Sequence, residues 1–117
     1  MTSPALIYKI STRSAYEAAV PTGQFQGMPI DFQDGYIHFS TADQLAETLA
    51  KHFAGQGDLV LIAVRTADVA AALKWEVSRG GALFPHLYAP MPVAAVEWTA
   101  PIAVAADGAC ALPEGVK

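Results

Sequence analysis

The uninterrupted apolar run Leu59-Val60-Leu61-Ile62-Ala63-Val64 constrains this chain more than any other feature. It is too short for a typical helix and is bounded by turn chemistry, so it reads as a strand buried on both faces. A strand without a wet face needs packed structure on each side, and the other elements must be arranged around it. The composition can supply them: 53% of the 117 residues are hydrophobic and 15% are charged. That lies well outside the low-hydrophobicity, high-charge range of disordered chains.

Around this central strand the other elements follow from local patterns. Ala5 to Ile10 is β-branched and aromatic and reads as a first strand. Ser11-Thr12 then offers an N-cap oxygen to a helix running to Val20, ended by Pro21 and Gly23. From Gly23 to Gly35 turn residues interrupt short apolar pieces, and Asp34-Gly35 launches a strand over Tyr36-Ile37-His38-Phe39-Ser40. Thr41 to Gln44 is a capping-box pattern in which each end bonds the other. The helix that follows places Leu45, Leu49, His52 and Phe53 on its packing face and stops near Gly55-Gln56-Gly57. After the central strand, Thr66 caps a short helix or turn reaching Leu73. Lys74 to Val77 alternates like a strand with one wet face, and Gly80-Gly81 reverses the chain. Leu83 to Pro90 is proline-rich and is expected to cross the surface as an irregular segment. A final strand lies at Val96 to Ala100 or Ile102 to Val104. Connections between the later strands are short, which disfavours a doubly wound parallel sheet. The pattern predicts a single α+β domain over residues 1–105, a twisted, largely antiparallel sheet with two main helices, and a flexible small-residue tail over 106–117.

Charge and cysteine content exclude several functions. A net charge of −4 gives no positive field for phosphate backbones, so general nucleic-acid binding is not expected. The lone Cys110 allows no intramolecular disulfide or multi-thiolate metal centre, which fits a reducing, cytoplasmic setting. The N-terminal stretch lacks a basic segment followed by a long apolar one, and the longest uncharged span is broken by Pro85, Pro90 and Pro92. Neither export nor membrane insertion is expected. Phosphate-cradling glycine loops, paired-histidine zinc motifs and serine nucleophile elbows are all missing from the sequence. A zinc site would need His38, His52 and His86 to converge from three elements, and no metal is expected.

The chemistry-bearing residues then fall into a few clusters. Tyr36, His38 and Ser40 share a strand face at about 7 Å intervals, opposite Ile37 and Phe39, and this polar face meets either solvent or a cleft. His52, between packing residues, reads as a structural imidazole. His86 and Tyr88 lie between Pro85 and Pro90, which restrict the backbone and leave the two side chains little entropy to lose on binding. That segment is a cleft rim or a plain surface crossing. Trp75 and Glu76 point to opposite faces: Trp75 plugs the core, while Glu76 meets water or is the one carboxylate of a site.

Together the segments Ile7-Tyr8-Lys9-Ile10-Ser11, Gly35-Tyr36-Ile37-His38-Phe39-Ser40-Thr41, Leu59-Val60-Leu61, Trp75-Glu76 and Phe84-Pro85-His86-Leu87-Tyr88-Ala89-Pro90 resemble the domain of unknown function 952 family of small bacterial proteins. The resemblance runs to about Val104. It implies an ADP-ribosyltransferase-like fold, a split α+β sheet whose cleft holds NAD in the active enzymes. His38 to Thr41 is similar to the H-x-T stretch of the RNA 2′-phosphotransferase branch, which has no obligatory catalytic glutamate. The chain departs from the family pattern at Lys9, where a histidine is usual, and at Ala89, where a glycine is usual. A lysine donates but cannot accept a hydrogen bond, so the imidazole's geometry is lost there.

On this reading a nucleotide- or NAD-like ligand occupies a cleft lined by Tyr8, Lys9, Ser40, Thr41 and Tyr88. His38 orients the ribose, His86 or Glu76 accepts a proton, and Tyr88 stacks on the base. NAD is the implied substrate and no resident cofactor is required. Two other readings stay open: an inactive scaffold working through protein contacts, and a metal-free hydrolase using a His/Glu pair on a small ester or glycoside.

Overall fold

The computed structural model describes residues 3–116. In chain order the elements are β1 (Leu6–Thr12), α1 (Arg13–Ala19), β2 (Gln24–Phe25), α2 (Pro29–Asp34), β3 (Ile37–His38), α3 (Leu45–His52), β4 (Leu59–Arg65), α4 (Thr66–Val69), β5 (Leu73–Val77), β6 (Leu83–Leu87), β7 (Met91–Pro92) and β8 (Val96–Ile102). The strands form two three-stranded sheets, ordered β1-β4-β8 and β3-β6-β5, and a small β2-β7 ladder. All pairings are antiparallel. The α+β class and antiparallel strands agree with the sequence pattern, but four α-helical segments stand where two main ones were expected. No helix among the described residues is long and apolar enough to cross a membrane.

β4 is the hub, and Leu59 through Val64 are all buried. Because successive side chains alternate, Val60, Ile62 and Val64 enter one core with Ile7, Ile37, Phe39 and Leu87. Leu59, Leu61 and Ala63 enter a second core with Tyr8, Ile10 and the α3 residues Leu45 and Leu49. The first core joins the two large sheets, and the second is roofed by α3. His52 is exposed rather than packed, since the buried stripe of this short helix consists of Leu45 and Leu49. Residues 106–116 contain no helix or strand, yet Cys110, Leu112 and Val116 lie against the second core. A Cβ on Gly108 (φ +91°) would sit 3.0 Å from the Ala50 Cβ of α3.

The segment expected to be irregular is instead the middle strand of the second sheet. β6 pairs with β5 from Leu73↔Leu87 to Val77↔Leu83 and with β3 through Ile37↔Leu87 and His38↔His86. Pro85 is tolerated because of where its missing N–H falls. The Pro85 carbonyl accepts from the Phe39 N–H at 3.0 Å, and carbonyl and nitrogen of a strand residue face the same neighbour. The lost donor therefore lies where β3 ends, and the ladder to β5 is untouched. One residue later the chain has changed sheets: Ser40 exchanges backbone hydrogen bonds with Tyr8 of β1 at 2.8 and 2.9 Å.

α2, read from sequence only as interrupted turn pieces, carries the tie between the sheets. Pro29 starts the helix, a position that suits its fixed φ and missing N–H, and Gly35 (φ +87°) ends it. Its Asp31 is 2% exposed and faces Lys9 of β1, itself 4% exposed, with Nζ–Oδ2 at 2.8 Å. Lys9 Nζ also donates to the His38 carbonyl at 3.1 Å. The Met28 N–H donates to Asp31 Oδ2 at 2.6 Å, and the His38 N–H donates to Oδ1 at 3.0 Å. Gly27 (φ +119°) permits this approach, because a Cβ there would stand 2.8 Å from the Asp31 Cβ. Burial lowers the Lys9 pKa, with the Asp31 charge opposing it. Burial pushes the Asp31 carboxyl up, but the His38 hydrogen bond, the Lys9 ion pair and the Met28 N–H outweigh it and hold the pKa at about 2.

Two outcomes follow from this pair. Replacing Asp31 by Ala leaves a buried ammonium without its partner, and urea unfolding should show a loss of about 3–5 kcal/mol; a loss below about 1 kcal/mol would mean the pair is dispensable. The depressed Asp31 pKa means that its stabilisation is complete above the unfolded value of 3.8 and is lost as pH falls towards about 2. Stability of the native chain should therefore drop by about 2 kcal/mol across that window, with a flatter profile in Asp31→Asn.

Candidate functional site

α2, β3, β5 and β6, with the residues flanking them, bring four rings and three carboxylates to one place. Tyr36, just before β3, is the centre: its ring centroid lies 4.6 Å from His38, 4.2 Å from His86 and 5.2 Å from Tyr88. The two imidazoles, paired across β3 and β6, stand edge to face at 5.5 Å. Such tilted contacts suit aromatic quadrupoles and fix the rings against one another. The sequence spacing that grouped Tyr36 with His38 is realised, but Ser40 leaves that face when the chain changes sheets.

Each imidazole has its own carboxylate setting. His38 Nδ1 lies 2.6 Å from Asp31 Oδ1, and its Nε2 lies 2.9 Å from Asp34 Oδ2. The doubly protonated ring donates to both acids; the neutral ring gives up one of these bonds. His86 is 3% exposed, and its Nδ1 lies 2.8 Å from Glu76 Oε1. With Nδ1 donating to the carboxylate, Nε2 carries the lone pair. No described residue bonds that nitrogen, and it is not among the fully enclosed polar atoms. The Tyr88 hydroxyl donates to the same Glu76 Oε1 at 2.6 Å. That bond, followed by the one from His86, holds the Glu76 carboxyl below its usual range, and Glu76 in turn pushes the Tyr88 phenol up to about 12. Burial raises the Tyr36 phenol too, helped by the charges of Asp34, Glu76 and Asp31.

A groove of about 280 Å³ runs beside the cluster, lined by residues that include Asp31, Phe32, Tyr36 and Tyr88. His38, His86 and Glu76 do not line it; they contact Tyr36 and Tyr88, which do. A larger hollow of about 630 Å³ lies elsewhere, between Pro4, Leu6, Thr66 and Ala70, and holds none of the cluster residues.

Of the residues expected at the site, His38, His86, Glu76 and Tyr88 come together. Tyr8 does not: it is 1% exposed in the second core, its ring 6.0 Å from Trp98. Adjacent strand residues face opposite ways, so Tyr8 and Lys9 cannot line one cleft. Lys9 is on the cluster's side, but burial and its bonds to Asp31 and the His38 carbonyl leave its ammonium no reach to a ligand. Ser40 is buried with Oγ 3.2 Å from Thr48 Oγ1. Thr41 opens the helical turn before α3, where its N–H donates to Gln44 Oε1 at 3.0 Å. The Gln44 N–H also donates to the Thr41 carbonyl at 3.1 Å. Sequence reasoning missed Asp31, Asp34 and Phe32. The available signal was Pro29 followed two residues later by an aspartate, the N-terminal signature of a short helix.

A search of curated proteins finds no match. Among solved structures, the crystal structure of protein CC0527 from Caulobacter crescentus is similar with a TM-score of 0.85 and 48% identity, covering 91% of this chain and 93% of that one. The solution NMR structure of CC0527 is similar with a TM-score of 0.78, again at 48% identity, over 90% of each chain. Residues 10–99 match the profile of a family described as protein of unknown function, DUF952, and the chain that folds around this histidine–tyrosine cluster belongs to that family.

Proposed function

We propose that the protein binds a nucleotide- or NAD-like small molecule at the Tyr36 cluster, on a fold of ADP-ribosyltransferase type. The observation that carries this reading is His86: a histidine 3% exposed, fixed at Nδ1 by Glu76, with Nε2 unbonded by any described residue and its ring 4.2 Å from Tyr36, which walls the groove. An imidazole held at one nitrogen by a carboxylate, with the other nitrogen unbonded and not fully enclosed, is set to accept a hydrogen bond from what the protein takes up. Support for the fold type comes from the split arrangement of two antiparallel sheets joined at Phe39, and from the H-x-S-T stretch of His38 to Thr41.

In this reading Tyr36 and Tyr88 receive the base or ring of the ligand and His38 orients its ribose. His86 Nε2 accepts a proton from a hydroxyl or water, and Glu76 stabilises the imidazolium that results. The same pair favours a second reading, hydrolysis of a small ester by water activated at His86. The lone pair on Nε2 and the carboxylate behind Nδ1 are what such a base requires.

Calorimetry and thermal melts with NAD and with ADP-ribose at millimolar concentration test the first reading. At about a hundredfold excess over Kd the stabilisation is about 2.7 kcal/mol, a Tm rise of several degrees for a domain of this size. Neither heat nor a Tm shift with either compound would overturn it. The second reading expects hydrolysis of a nitrophenyl ester to fall by about a hundredfold or more in His86→Gln, with the fold intact by circular dichroism. Equal turnover in the variant and the native chain would exclude that reading.

A further inference from the structure

We infer that the groove beside Tyr36 is selective for charge, taking a planar ring that is cationic or rich in N–H donors and turning away anionic rings and phosphate. The inference rests on the proposed ligand site and names what part of a ligand it accepts. Three aromatic residues, Phe32, Tyr36 and Tyr88, line the groove. Phe32 is 66% exposed and projects from α2. Rings gathered around a hollow are the arrangement that recognises organic cations through their negative faces.

The charges around those rings point the same way. Asp31 is balanced by Lys9 at 2.8 Å. Asp34 holds His38 at 2.9 Å on one flank of Tyr36, and Glu76 holds Tyr88 and His86 at 2.6 and 2.8 Å on the other. Both Glu76 bonds fall on Oε1, and the carboxylate's charge stands directly behind Tyr88, which lines the groove. Among the described side chains, the lysines that contact this cluster are Lys9, enclosed with Asp31, and Lys74, whose Nζ stands 4.8 Å from the Tyr88 ring centre. The groove thus offers ring faces backed by the carboxylates of Asp34 and Glu76, while Lys74, exposed on β5, is the cation beside Tyr88. Volume agrees: about 280 Å³ is at the lower bound for a drug-sized ligand and holds one ring system rather than a dinucleotide. A nucleotide-like ligand would therefore enter ring first, with its phosphates outside near Lys74.

Three compounds of one shape and different charge test this: benzamidinium, benzamide and benzoate, titrated into the full chain by heteronuclear NMR and calorimetry. The expected order is benzamidinium, then benzamide, then benzoate, with roughly tenfold or more between the first and last, the size set by two partly exposed carboxylates. Shifts should centre on Gly35, Tyr36 and Tyr88. In Asp34→Asn/Glu76→Gln the cation-to-anion ratio should collapse towards one, and Phe32→Ala, a change at an exposed position that spares the fold, should weaken benzamidinium severalfold. Benzoate binding as tightly as benzamidinium, no binding by any of the three, or a ratio unchanged in the double variant would overturn the inference. NAD binding together with a reversed charge order would sink the inference and leave the proposed ligand class standing. The expected order without NAD or ADP-ribose binding would do the opposite.

Discussion

A lysine and an aspartate sealed between two sheets set the terms for the rest of the molecule. Lys9 and Asp31 come from elements 22 positions apart in the chain, and neither charge is tolerable in the interior alone. Each makes the other admissible, and in doing so they pin α2 against β1. The remaining lone pairs of Asp31 then take the backbone N–H and ring Nδ1 of His38. The position of the first imidazole is thus a by-product of burying a charge. In the first strand this chain has a cation that looks inward, towards structure rather than towards a ligand.

The second histidine is placed by different means. β6 carries His86 as the middle strand of its sheet, and the register His38↔His86 with β3 brings the two imidazoles face to edge. Pro85 stands where β3 departs for the other sheet, so the ladder ends without an orphaned donor. The crossing at Phe39 and the tie at Asp31 are neighbours in space, and between them they hold Tyr36 at the centre of the cluster. Two independent devices, one electrostatic and one topological, converge on the same few side chains.

Much of this was legible from the residues. The apolar run at Leu59 to Val64 did form the buried hub, the alternation at Lys74 to Val77 did form a strand, and the pairing of Tyr36 with His38 on one face held. What was not legible had specific causes. Pro85 reads as a strand breaker because the pattern cannot say which neighbour its missing N–H would face. α2 has six residues, too few for a hydrophobic period to declare itself. Alternation puts Ser40 on the His38 face, but the strand changes partner at Phe39, which periodicity does not register. Strand alternation alone sets Tyr8 and Lys9 on opposite faces, so the pattern never allowed both to line one cleft.

The two bonds that meet on a single oxygen of Glu76 have one further effect. The Tyr88 phenol, pushed up to about 12 by its bond there, stays neutral and closes this side of Glu76. His86 Nδ1 is committed to the same oxygen, so Nε2 is the nitrogen of that ring left without a bond to a described residue. On the proposed function, a proton reaches the ring through that single gate.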